Sequence, residues 1–297
     1  MKYILYYENS NLDRIKVERR DEGIHMKWTS MILLAAFVLV IAACGDDQAK
    51  EVEQEPKETL TTTQEPETEP VDPEEAVEEE EQPIEEVQEL YEINSANWTL
   101  DPIEDADSQV VLVTIDDAPD KNAVEMAKTL KELEVPAIFF VNGHFLASEE
   151  QQENLRTIYD MGFAIGNHTQ THANLKDSTE EKQRDEILQV NEKVEQITGE
   201  KPVFFRAPFG VNTDYSKSLV EQEGMVLMNW TFGYDWEKQY MEADSLADIM
   251  VNTPYLTDGA NLLMHDRAWT AEALPKIVEG LRAKGYGFID PKTIKGI

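Results

Sequence analysis

Across residues 110–289, short apolar, β-branched runs alternate with longer amphipathic stretches, and that rhythm limits the fold more than any other feature of the chain. Runs at 110–115, 137–141, 163–166, 203–206, 225–230, 261–264 and 286–289 have the length and residue types of strands. Stretches near 121–134, 149–161, 179–198, 214–223, 244–252 and 270–284 carry apolar residues at helical spacing. The third helix has the best-marked ends. Ser178 and Glu181 stand at capping-box spacing, and Gly199 is placed for a left-handed stop. Seven strands alternating with six helices predict an α/β fold with a parallel sheet under helical cover, either a closed barrel or an open doubly wound sheet.

The placement of the unusual polar residues selects the barrel. Asp116 and Asp117 follow the first run, His168 and His172 the third, Asp235 the fifth and His265 the sixth, while Arg206 ends the fourth. In a barrel of parallel strands those ends share one rim around one mouth. At opposite edges of an open sheet they would not reach a common site.

The chain ahead of this region reads differently. Residues 31–43 are an unbroken apolar run, too short to span a bilayer, which takes roughly 20 residues as a helix. Its length and flanks fit an export signal. It ends in Ile41-Ala42-Ala43-Cys44-Gly45, which resembles a bacterial lipobox, and lipidation would account for Cys44, the chain's single cysteine. Residues 1–25 are polar and charged, whereas Met26-Lys27 directly precedes the apolar run. Translation is therefore expected to begin at Met26, leaving 1–25 as a non-native extension and 26–44 as a lipoprotein signal peptide. Residues 46–93 hold 20 acidic and 2 basic residues, so a disordered acidic tether is expected over 45–100 and the catalytic domain over 101–297. Of the formal charge of −34, about −17 remains on 94–297, which argues against nucleic acid as a partner.

Two clusters carry the chemistry. His168 and His172 are four residues apart, so on a helical turn they would share a face and bind one metal ion. The pair is not the metalloprotease H-E-x-x-H, because position 169 is Thr. On its own it also fits two exposed histidines. Asp116-Asp117 places two carboxylates side by side, which is costly unless a cation is near, although a polar strand end entering a turn at Ala118-Pro119 would look the same. Taken together, Asp117, His168 and His172 make three protein ligands with an open position, the donor set of a catalytic zinc site.

Five motifs in order resemble the polysaccharide deacetylases of carbohydrate esterase family 4, which share the NodB-homology domain. They are Thr114-Ile115-Asp116-Asp117-Ala118-Pro119, His168-Thr169-Gln170-Thr171-His172, Arg206-Ala207-Pro208-Phe209-Gly210, Asp235-Trp236 and Leu263-Met264-His265-Asp266. The resemblance covers about residues 108–290 and implies a distorted seven-stranded (β/α) barrel. The chain departs from the family pattern in three places. Ile115 replaces Phe. Ala118 replaces a glycine, so a positive φ there would strain the loop by roughly 1 kcal/mol, and a close substrate approach would instead be narrowed by the methyl. Gly233 or Phe232 stands where the fourth motif usually has an earlier aspartate.

The resemblance further implies roles. Asp117, His168 and His172 hold a divalent metal, zinc first and cobalt as an alternative. Asp116 is the general base, paired and oriented by Arg206. The backbone N–H of Phe209 stabilises the oxyanion. His265 protonates the leaving sugar amine, with Asp235 keeping it charged. Trp236 packs against that aspartate, and Leu263 lines a pocket for the acetyl methyl. Trp230 and Trp269 are read as core, and His144 and Asp266 are given no role.

The leading expectation is removal of N-acetyl groups from N-acetylglucosamine residues of peptidoglycan or a related extracellular polysaccharide, by an enzyme lipid-anchored on the outer face of a bacterial membrane. An O-acetyl xylan-type esterase and a catalytically weakened glycan-binding lipoprotein are the alternatives.

Overall fold

The computed structural model describes residues 88–297. The expected extension, signal peptide and lipidation site at Cys44 lie outside these residues, as does most of the tether. The tether's far end does not: β1 (Tyr91–Ile93) and β2 (Leu100–Pro102) form an antiparallel hairpin with Tyr91 and Leu100 buried. Structure thus begins ahead of the boundary drawn at residue 101. Each strand is three residues long and set among polar residues, too short to display a period.

All seven expected strands and six expected helices are present. β3 (Val110–Ala118), α1 (Ala123–Glu132), β4 (Ala137–Val141), α2 (Glu149–Asp160), β5 (Ala164–Asn167) and α3 (Glu180–Thr198) come first. β6 (Phe204–Phe205), α4 (Asp214–Gln222), β7 (Val226–Leu227), α5 (Ala243–Asn252), β8 (Ala260–His265), α6 (Ala268–Ala283) and β9 (Gly287–Phe288) follow. The sheet runs β7-β6-β5-β4-β3-β8 with every pairing parallel, and β9 adds to the start of β3. Beyond β7 the chain turns back to β8: Thr231 N–H donates to Asn261 O, and Leu263 N–H donates to Phe232 O. That link curls the sheet into a distorted barrel. α3 is capped by Thr179, whose side chain accepts from Lys182 N–H, one residue later than the Ser178 cap expected, and Gly199 ends it at φ 89°. Among the described residues no helix is long and apolar enough to cross a membrane.

β3 is buried along its whole length, as a central parallel strand must be. Its residues alternate between two cores. Val111, Val113 and Ile115 pack with the helical layer, against residues such as Leu130 and Leu274. Val110 and Leu112 face the other way, into a cluster with Ile138, Phe140, Phe204 and Met228. Continued upward, this even-numbered row adds Thr114 and Asp116, and it delivers a carboxylate to the barrel mouth.

Candidate functional site

Adjacent strand residues ordinarily point to opposite faces, so Asp117 should face away from Asp116. It does not, because Asp117 adopts φ 63° and the β3–β4 register shifts between Ile115 and Ala118. A left-handed non-glycine residue costs on the order of 1–2 kcal/mol. Here the local break lets both carboxylates reach one cleft. Ala118, the residue suspected of strain, is outside the left-handed region and buried in the core, and it is not part of the cleft wall. Neither consequence expected of it arises.

The cleft encloses about 370 Å³ and is lined by Asp116, Asp117, His168, His172, Phe209, Trp230, Trp236, Leu263, His265 and Arg267. At its floor, one ligand atom each from Asp117, His168 and His172 lies within 4.8 Å of the other two. His168 Nδ1 is 2.7 Å from the Arg206 carbonyl oxygen. A carbonyl only accepts, so Nδ1 carries the proton and Nε2 keeps a free lone pair toward the cluster. Burial, then the charge of neighbouring His168, push the His172 pKa below its ordinary value, which favours the neutral imidazole that a metal requires. These residues fit a divalent cation.

Each aspartate divides its oxygens between an arginine and a histidine. Asp116 Oδ1 accepts from Arg206 at 2.7 Å, while its Oδ2 lies 3.5 Å from His168 Nε2. Asp117 Oδ2 accepts from Arg267 at 2.8 Å, while its Oδ1 lies 3.8 Å from His172 Nε2. Arg206 is fully buried and also donates to Thr114 Oγ1, Asn229 O and Asn261 Oδ1, with its guanidinium 4.3 Å from the Phe140 ring centre. Burial lowers its pKa, against the opposing pull of Asp116.

His265 also lines the cleft, with the buried Asp235 behind it. Asp235 Oδ1 is 2.7 Å from His265 Nδ1, and its Oδ2 accepts from the His265 backbone N–H and from Thr270 Oγ1. Burial works against charge on His265. The hydrogen bond and charge of Asp235, with Asp116 and Asp117 behind it, outweigh that, and its pKa is raised. Trp236, expected against Asp235, sets its exposed ring edge-on to His265 at 5.4 Å between centres, while Trp269 Nε1 donates to Asp235 O. Trp230, expected in the core, lines the cleft. Phe209 has φ 60° and stacks edge-on against His172 at 4.8 Å. A side chain at Gly233 would approach Leu263 O to 2.3 Å and Trp236 to 2.8 Å, so this loop has no room for the motif's earlier aspartate.

The His168–His172 segment is not the helical turn expected. It is an irregular loop with left-handed residues at Thr169 (φ 69°) and His172 (φ 58°). Asn167 Oδ1 accepts from Thr169 N–H, Asn142 Nδ2 donates to His168 O, and Gly143 N–H donates to Thr169 O. His144, one residue on, is exposed.

Two residues beside the cleft, Arg267 and Asp266, have places that the sequence expectations do not give them. Arg267 directly follows the last motif, and only its reach across to Asp117 reveals its place. Asp266, left without a role, accepts from the backbone N–H groups of Lys121, Asn122 and Ala123, tying the end of β8 to the loop after the two aspartates. Burial raises its pKa, against those donors.

Comparison with known proteins agrees with this geometry. Residues 103–228 match the model of the polysaccharide deacetylase family, a span that holds Asp116, Asp117, His168, His172 and Arg206 but stops short of Asp235 and His265. The peptidoglycan-N-acetylmuramic acid deacetylase PdaA of Bacillus subtilis (strain 168) is 32% identical over 54% of this chain and 60% of its own length. A peptidoglycan-N-acetylglucosamine deacetylase of Bacillus cereus is 27% identical over 60% of this chain and 66% of its own length. The chain thus spans less than two thirds of either relative. The solved structure of a T48 deacetylase with substrate superposes with a TM-score of 0.57 at 26% identity, covering 63% of this chain and 90% of that one. The curled parallel sheet and the motif residues in and around one cleft agree with the match of residues 103–228 to the polysaccharide deacetylase family.

Proposed function

We propose that this protein is a metal-dependent hydrolase that removes N-acetyl groups from N-acetylglucosamine residues of peptidoglycan or a related extracellular polysaccharide. The observation that carries the reading is the convergence of Asp117, His168 and His172 within 4.8 Å, with the unshared oxygen of Asp116 beside them and His265 across the same cleft. The peptidoglycan substrates of the two bacillar relatives support the choice of glycan.

A divalent cation in this donor set, zinc first and cobalt as the alternative, supplies Lewis acidity and makes water a nucleophile near neutral pH. Asp116 accepts the proton of the attacking water at Oδ2, since Oδ1 is committed to Arg206. The Phe209 N–H faces the developing oxyanion in this reading, a contact of the kind typically worth about 3 kcal/mol. Leu263 and Trp236 enclose the acetyl methyl. His265, held through Nδ1 by Asp235, gives its other ring proton to the departing amine. The C–N bond breaks, and acetate and a free sugar amine leave.

Release of acetate from defined N-acetylglucosamine oligomers, with zinc, cobalt or chelator added, tests the proposal. Metal-dependent release is expected. Zinc-loaded protein that frees no acetate from these oligomers or from peptidoglycan defeats it. We also propose that the mature chain begins at a lipidated Cys44 on the outer face of the membrane. The lipobox resemblance and the acidic stretch after it support this, and an unmodified Cys44 thiol in the mass spectrum of the membrane fraction would refute it.

A further inference from the structure

The two histidines of the floor are held very differently. His168 is nearly fully buried, its N–H donates to Val141 O, and its ring is fixed by the bond from Nδ1 to Arg206 O. His172 is half-buried and left-handed, and among the described residues no hydrogen bond orients its ring toward the cluster. Its ring meets those of His168 and Phe209 and lies 3.8 Å from Asp117. A ligand held only by such contacts depends on the backbone that carries it.

That backbone is fastened one residue earlier. The buried carboxylate of Glu186, a residue of α3, accepts from Thr171 N–H at 2.7 Å with one oxygen and from Thr171 Oγ1 at 2.6 Å with the other. Glu186 also gives its backbone carbonyl to Gln170 N–H at 2.8 Å, and Lys182, four residues before it, pairs with the carboxylate at 2.8 Å. Three bonds from one residue therefore grip the two positions before His172. A buried carboxylate with both oxygens on one residue is costly to place and fixes geometry tightly.

Resting on the metal site proposed above, we infer that Glu186 is a positioning residue for the metal centre, setting His172 through Thr171 without touching the ion. Glu186 belongs to none of the five motifs.

The test is the zinc dissociation constant of the full chain, read by competition with a chromophoric chelator, beside thermal unfolding of the zinc-free protein. Glu186→Ala should weaken zinc binding by about 10- to 100-fold, the usual range for residues supporting a ligand. Glu186→Gln keeps an oxygen for the Thr171 N–H and should bind within a few-fold of wild type. Thr171→Val removes only the hydroxyl bond and should weaken binding several-fold, and it carries the test if Glu186→Ala does not fold. A folded Glu186→Ala or Thr171→Val with unchanged zinc affinity overturns the inference alone. So does a loss as large in Glu186→Gln as in Glu186→Ala. A wild-type chain that binds no zinc overturns the underlying reading and this inference with it.

Discussion

Asp116 and Asp117 are neighbours in sequence, and each gives one oxygen to an arginine, yet the two pairs lie in different surroundings. Arg206 is fully buried with four further polar and aromatic partners, and Asp116 beside it is 2% exposed. Arg267 stands at the cleft mouth with its side chain 36% exposed, and its other bond is to the neighbouring Asp266 carbonyl. Water therefore reaches Arg267 of the second pair, whose Asp117 is buried, but neither member of the first. The buried pair is a fixed part of the barrel interior, and removing either member leaves a charge without its partner. The outer pair trims the position of one oxygen at a site open to solvent.

Four measurements sharpen or break that comparison. Asp116→Asn should lower turnover by about 10³-fold while keeping the metal, since a positioned base contributes of that order. If the variant loses metal instead, the roles of the two aspartates are reversed. Arg206→Met should cost about 3–5 kcal/mol of stability in urea unfolding, the penalty for stranding a buried charge. A loss below 1 kcal/mol would mean that Asp116 finds another partner or water.

Asp235→Asn should move the alkaline limb of the rate profile to lower pH. In the proposed mechanism His265 donates its proton only while charged, and Asp235 is the main cause holding its pKa above the ordinary value against burial. Activity is thus present below that raised pKa and lost as pH rises through it. The same sign applies to folding: the pair's stabilisation is complete below the ordinary histidine range and disappears as pH climbs through the raised value. An unmoved limb in Asp235→Asn would assign the titration to another group. Arg267→Ala should cost less stability than Arg206→Met, because Arg267 is partly exposed whereas Arg206 is fully buried, although each pairs with a buried aspartate. A loss as large as that of Arg206→Met would erase the distinction between the pairs.

The sheet and helices were legible because parallel strands buried on both faces leave unmistakable apolar runs, as 110–115 and 137–141 do. The rim residues were legible because strand ends in a barrel meet. What escaped is what depends on single dihedral angles or long reach. Nothing in the order Asp116-Asp117 announces the left-handed turn that brings the second carboxylate into the cleft. The same holds for Thr169 and His172, where a helical turn was expected and a loop pinned by Asn142, Asn167 and Glu186 was found. Arg267 and Asp117 are 150 residues apart, and no periodicity joins them. The β1–β2 hairpin escaped for the opposite reason, being too brief to show any pattern at all.

Crystals of the zinc-loaded protein, with anomalous scattering recorded at the zinc edge, would test the central claim most directly. The account predicts one strong peak bonded to Asp117, His168 and His172, with the free oxygen of Asp116 nearby and outside bonding distance. A peak elsewhere, or a floor where Asp117 and the two imidazoles share no ion, would contradict it.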